Sequence, residues 1–264
     1  MKSLGQKIVI IGCGNVAWHL AKQFHSLKDV SLFIYNHQPN SALKDFKSTL
    51  NCFTQDNLLS IIDNADFYFI CVPDKFIAAV SKKIICSKSD AVIMHTSGSM
   101  ALKEIKTNHK NKGVFYPLQT FSKTDFVNWV EIPLLLETNN SITRFLITRL
   151  AKQVSPIYLF LKNKQRLRFH LAAVIVNNFT NALFASALEV LNNKQSDFKL
   201  LMPLIRQTTK KVEKLAPRAA QTGPAKRNDK IVIKKHLAIL TKDAEMSKIY
   251  SELSKLITKQ QLHD

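Results

Sequence analysis

The chain has 264 residues, 46% of them hydrophobic, which is enough for a real core and argues against a disordered tail. Its formal charge of +19 comes from lysines spread along the whole length, a surface that helps recruit phosphorylated or acidic small molecules. No helix-turn-helix signal, zinc knuckle or basic region with interleaved aromatics accompanies that charge, so nucleic acid is not the expected partner. No apolar run approaches the roughly 20 residues of a bilayer span, and Met1–Lys2 does not lead into a signal-peptide pattern, so no membrane partner is expected.

Residues 8–17 read IVIIGCGNVA. A mostly β-branched apolar run breaks at once into Gly12, Gly14 and Ala17, the G-x-G-x-x-A form of the dinucleotide fingerprint. Gly12 suits the tight turn, Gly14 lets backbone approach a pyrophosphate, and Ala17 lets the helix pack closely on its strand. The turn Gly12-Cys13-Gly14-Asn15-Val16 would offer helix-start N–H groups and the positive end of the dipole to the phosphates. Strand 30–36 follows and ends in Tyr35-Asn36-His37-Gln38. An NAD-preferring site places an acid there for the ribose hydroxyls, so its absence favours NADP over NAD, with Asn36, His37, Ser41 and Lys44 as candidate donors.

The buried strand at 67–72 runs into Val72-Pro73, and the one at 91–95 into Thr96-Ser97-Gly98-Ser99. Both ends belong at the carboxyl edge of the sheet, where open α/β folds bind ligands. Val72, Pro73 and Thr96 are therefore assigned to the cofactor and Ser97 to the substrate. Further strands are expected at 113–116, 132–137 and near 156–161, with helices near 14–27, 40–48, 57–62, 74–86 and 141–153. The alternation predicts a parallel sheet with helices on both faces. Cys13, Cys52, Cys71 and Cys86 have no metal-ligand spacing and lie in or beside apolar segments, which reads as reduced thiols in a cytoplasmic protein without a metal site.

From about residue 163 helical patterns take over. Residues 164–192 hold no glycine or proline and suit one helix of about 40 Å. Two more long helical segments are expected near 197–215 and 244–260. The division predicted is a dinucleotide-binding domain over 1–161 and a helical substrate or dimerisation domain over 162–264. At 100° per residue, His170, Val174, Asn177 and Asn181 share one face of the long helix. Such a face needs polar partners, from a substrate, a neighbouring helix or a second copy. In QTGPAKRND (221–229), Arg227 offers a planar fork for a carboxylate or phosphate, and Asp229 either caps the next helix or orients Arg227.

GCGNVA, CVPD, HTSGS, GVFYPLQTFSK, FHLAAVIVNN and TGPAKRND, in that order, resemble bacterial Rossmann-like proteins whose C-terminal half is domain-of-unknown-function 2520. The resemblance covers nearly the whole chain. It implies an NADP-linked branch of the 6-phosphogluconate-dehydrogenase-like reductases, similar in plan to ketopantoate reductase and pyrroline-5-carboxylate reductase. It also implies a helical C-terminal domain that often dimerises. Hydroxyacid dehydrogenases of that superfamily carry a Lys four residues before an Asn on the first long helix. Here Asn177 matches the Asn, but Ala173 stands where the Lys would be, and its role either passes to His170 or is absent.

The leading expectation is an NADP-dependent reductase of a small anionic oxo or imino compound. His170 would move the proton, Asn177 would assist it, Ser97 and Asn181 would orient the substrate, and Arg227 would bind its anionic group. A non-catalytic dinucleotide-binding or redox-sensing protein, with a helical half serving only dimerisation, is the alternative. A basic nucleic-acid-binding protein is a third.

Overall fold

In the computed structural model, which describes residues 5–261, the first apolar run forms β1 (Gln6–Ile11). Met1–Lys2 lies outside the described residues. Ile8, Val9, Ile10 and Ile11 are all buried, because β1 is a central strand covered on both faces. Even-numbered Ile8 and Ile10 join one core cluster, and odd-numbered Val9 and Ile11 join another on the opposite face.

The sheet continues with β2 (Val30–Tyr35), β3 (Phe53–Gln55), β4 (Phe67–Ile70), β5 (Val92–His95), β6 (Lys112–Pro117), β7 (Leu134–Thr138) and β8 (Tyr158–Phe160). The strand order is β3-β2-β1-β4-β5-β6-β7-β8. The chain therefore reverses direction across the sheet between β1 and β4, the topological switch point at which such folds bind ligands. On one face lie α1 (Asn15–His25), α2 (Ala42–Leu50) and, after β7, α4 (Ser141–Val154), through Leu20, Phe24, Phe46, Ile147 and Leu150. The short helix α3 (Ile77–Ser81) covers the other face with Ile77 and Val80.

Two features depart from the expected pattern. β7 runs antiparallel to β6, pairing Phe115 with Leu136. Segment 118–133 holds only the short turn Trp129–Glu131, with no crossover helix to bring the chain back parallel. β3 went unpredicted because three residues are too few to show a period. The helices expected at 57–62 and 74–86 shrink to the turn Leu58–Ser60 and to the turn Asp74–Phe76 followed by α3.

The predicted long helix is present as α5 (Asn163–Ala173), a π-helical turn (Val174–Phe179) and α6 (Thr180–Val190), with no strand in it. It is 28 residues long, and one window of it reaches a mean hydropathy of 1.5 with none of that window buried within the chain. By length and composition it could cross a membrane. This corrects the expectation of no such segment: the polar Asn177, Asn178, Thr180 and Asn181 hide it from a count of unbroken apolar residues.

Then come α7 (Gln195–Lys199), α8 (Met202–Val212), α9 (Pro217–Ala220), α10 (Lys230–Ile239) and α11 (Ala244–Gln261). Pro203, which lacks an N–H and is tolerated only in a first turn, splits the expected 197–215 helix at the start of α8. The chain divides into two compact units, Met1–Asn177 and Asn178–Asp264. The division falls inside the long helix, because α5 still packs on the sheet through Arg166, which is fully buried.

Candidate active site

Gly12 ends β1 with φ +115°, a conformation L side chains rarely adopt, and a Cβ there would sit 2.2 Å from the Cys71 carbonyl oxygen. The turn is thus locked against the end of β4. Gly14 is the N-cap of α1, with no side-chain cap and no acid in the first turn. A Cβ at Gly14 would meet nothing within 4 Å, so the helix start opens onto free space. Ala17 is fully buried against the sheet, as the fingerprint requires.

Beside this turn lies a cavity of about 390 Å³. Its lining includes Gly12, Cys13, Gly14, Asn36, His37, Val72 and Pro73, seven of the residues assigned to the cofactor. Leu58, Phe76 and Val80 give it an apolar wall, and Asn40 and Lys83 give it polar groups that the sequence reading did not single out. Open helix N–H groups, a glycine with room above it and a cavity at the switch point fit a dinucleotide. Asn36 is buried and donates from Nδ2 to the Gln38 carbonyl at 2.9 Å, which shapes the loop after β2. Burial pushes the Cys71 thiol up to about 12, against a weaker opposing bond from Thr96, so Cys71 stays a neutral wall group.

Two assigned residues of the helix start point their side chains elsewhere. Asn15 donates from Nδ2 to the Phe121 carbonyl at 2.8 Å, and Val16 packs on the core. His19 is bonded to the Ser122 carbonyl at 2.7 Å and stacks on Phe121. The motif GVFYPLQTFSK thus straps segment 121–122 across the start of α1.

The second half of the site lies at the ends of β5 and β6. Ser97 Oγ accepts from the backbone N–H groups of Ser99 and Met100, so its hydroxyl shapes the turn after β5. Asn163 donates to the Ser99 carbonyl at 3.3 Å, and Arg166 donates to the Met100 carbonyl while pairing with Glu137. His170 lies one helical turn beyond Arg166 on the same face. Its Nδ1 is 3.1 Å from the Tyr116 hydroxyl, with the two rings edge to face at 5.9 Å. A Cβ on Gly98 would lie 2.7 Å from that Nδ1. His95, buried at the end of β5, accepts from the Ser97 N–H at Nδ1. Burial, reinforced by the Arg166 charge, lowers its pKa to about 4, so it is neutral.

Residues 132–257 match the family described as domain of unknown function DUF2520, and residues 7–97 match the family described as NADP oxidoreductase, coenzyme F420-dependent. A crystal structure of a candidate NADP oxidoreductase, BF3122 from Bacteroides fragilis, is 31% identical, covers 97% of this chain and 98% of its own, and superposes with a TM-score of 0.87. This chain belongs to that oxidoreductase family. A reductive aminase from Aspergillus terreus, in complex with NADPH and ethyl-5-oxohexanoate, shares the fold at 15% identity, with 97% and 93% of the two chains covered and a TM-score of 0.71. Pyrroline carboxylate reductase of Plasmodium falciparum, with NADP bound, does so at 11% identity, 98% and 99% coverage and a TM-score of 0.62. A search of curated proteins by sequence finds no match.

The remaining predicted residues lie further along the chain. Asn177 is exposed and lies within the π-helical turn. Asn181 and Arg227, both exposed, belong to the second unit. A π turn bonds i to i+5 and so holds one extra residue, which rotates everything after it by about 100°. The α-helical spacing that groups His170 with Asn177 therefore does not hold through Val174–Phe179. Asp229 caps α10, accepting from the Val232 N–H at 3.1 Å. Tyr116 and Arg166 were missed. Tyr116 stood in a quoted motif but reads as a strand residue, and its partner is 54 positions away.

Proposed function

We propose that this chain is an NADP-dependent oxidoreductase that transfers hydride to or from a small anionic oxo or imino compound. One observation carries the reading: a single unit holds both the glycine-turn cavity and, at the carboxyl edge of the same sheet, an imidazole seated on Gly98. Nicotinamide supplies the hydride chemistry when bound. The protein's own part is to orient the reactants and move the proton. His170 gives a proton to the substrate oxygen or nitrogen in reduction and takes it back in the reverse direction. Asn177 and Asn181 orient the substrate, and Arg227 binds its anionic group. The acid-free end of β2, with His37, Asn40 and Lys83 around the cavity, supports NADP over NAD.

The same proposal takes the protein to be a homodimer through its helical unit. Ile249, Leu253 and Leu256 form an exposed stripe at i, i+4 and i+7 along α11, and most large apolar residues of the long helix are exposed as well. Asparagines midway along that helix suit a protein partner better than lipid, where unpaired polar groups are costly. Free cysteines throughout the described residues suit a reducing, cytoplasmic compartment.

Fluorescence titration with NADPH and NADH tests the cofactor, and NADPH is expected to bind more tightly; equal affinities would remove the NADP assignment. Gly14→Asp should weaken both by setting a negative charge at the helix start. Oxidation of NADPH with a panel of 2-oxo acids, with and without ammonia, and of cyclic imino acids tests the reaction. His170→Asn should lower turnover by roughly 10²–10⁴-fold with NADPH affinity unchanged. Arg227→Ala should raise KM for the anionic substrate. Full turnover in His170→Asn would refute its role.

A further inference from the structure

Three features of the β5–β6 edge have no part in the proton step so far. Gly98 does not have the positive φ that would demand glycine, yet its missing side chain is matched by a close approach. A Cβ there would lie 2.7 Å from His170 Nδ1, 2.7 Å from Tyr116 Cζ and 2.8 Å from Tyr116 Cε1. What the position requires is space for two rings, and those rings are the ones that bond to each other.

Arg166 is charged yet fully buried, and its Nε has no hydrogen-bond partner among the described residues. Its other nitrogens hold Glu137 on β7 and the Met100 carbonyl, and Asn163 holds the neighbouring Ser99 carbonyl. The first turn of α5 is thereby pinned to the 97–101 turn at two carbonyls and to β7 by an ion pair. Pinning at Arg166 fixes the rotation of α5, and so brings His170, four residues on, down over Gly98. Burial raises the Tyr116 pKa, opposed by the Arg166 charge, so the phenol keeps its proton.

We propose that Tyr116 and Gly98 are positioning residues for His170: the hydroxyl holds Nδ1, the absent side chain leaves the ring its seat, and Nε2 is left as the nitrogen offered to the substrate. The inference rests on the reading of His170 as the proton donor. A hydroxyl suits the role because its oxygen accepts. It accepts from Nδ1–H in the imidazolium and in the neutral Nδ1–H tautomer that remains once Nε2 has given up its proton, so both states of the donor are held in one orientation. In the proton step, the Nε2–H bond of the imidazolium breaks as an O–H or N–H bond forms on the substrate. Nδ1 keeps its proton against the Tyr116 oxygen, and solvent restores the one on Nε2. Phenylalanine at 116 offers no such acceptor.

The test uses the full chain labelled with ¹⁵N-histidine, as wild type, Tyr116→Phe and Gly98→Ala, with His170→Asn to assign the signals. At mildly alkaline pH, wild-type His170 should show one pyrrole-like and one pyridine-like nitrogen, the signature of a single locked tautomer. In Tyr116→Phe and in Gly98→Ala the two signals should move towards a common average, with melting temperature and NADPH binding retained. Turnover of the best 2-oxo or imino acid of the panel should fall by up to about 10²-fold in both, the scale of a catalytic group misplaced by an ångström. Wild-type signals retained in Tyr116→Phe would overturn the inference, and so would wild-type signals in Gly98→Ala. If His170→Asn turns over normally while the signals shift as expected, it is the proton-donor reading that fails. If His170→Asn is inactive and the signals do not move, that reading stands and the positioning role falls.

Discussion

The two units of the chain solve the burial problem differently. In Met1–Asn177 the sheet has a core on each face, with Phe24, Phe46, Phe69, Phe115 and Tyr68 fully buried. In Asn178–Asp264 only Ala225 and Leu240 are buried among the described residues, while Leu200, Leu204, Ile231 and Ile239 are more than 60% exposed. A sheet with helices on both faces closes its own core. Helices with apolar stripes and nothing set against them need another surface. The cavity, Gly98, Tyr116 and His170 all lie in the unit that closes its own core, on a frame suited to hold groups to within an ångström.

The contrast breaks or sharpens under substitution. The largest effect is expected in the sheet: Phe24→Ala should cost about 3–5 kcal/mol in urea unfolding, whatever the protein concentration. Leu253→Ser on α11 is the counterpart. If a second copy covers the stripe, the wild-type unfolding midpoint depends on protein concentration, and in Leu253→Ser light scattering will show a shift towards monomer while that dependence weakens. An unchanged mass and midpoint would leave the stripe solvent-facing, and the contrast between the units would vanish.

A smaller effect comes from His95. Its folded pKa of about 4 lies below the ordinary histidine value of 6.5, so between those values the unfolded chain binds more protons. Stability is then fully present above about pH 6.5 and is lost as pH falls towards about 4, by on the order of 3 kcal/mol. His95→Gln should flatten this decline in unfolding measured from pH 7 down to pH 5, and an unchanged slope would clear His95. The smallest effect belongs to the helical unit: Asp229→Ala removes the cap of α10 and should cost about 1 kcal/mol. If instead it alters KM for an anionic substrate without changing stability, Asp229 acts through Arg227.

Much of the sheet unit is legible in the amino-acid sequence. Glycine spacing, β-branched runs and the acid-free end of β2 are local signals, and they single out seven residues that the fold does bring together around the cavity. What stays hidden depends on contacts between distant segments. The antiparallel turn of β7 follows from a connection that lacks a helix, and β3 from pairing with β2. The π turn in the long helix leaves no mark in a pattern of apolar residues.

The sequence by itself determined the glycine turn, the alternation of strands and helices in the sheet unit, the long helix and the family, because each is written in neighbouring residues. Only the tertiary structure decided that Ser97 and Asn15 bond to backbone, that Arg166 is buried beneath the site, and that Gly98 makes room for Tyr116 to hold His170. Those relations join β5, β6, β7 and α5, whose residues are far apart in the chain. Their geometry exists only once hydrophobic burial has set the strands side by side and the helix across their ends.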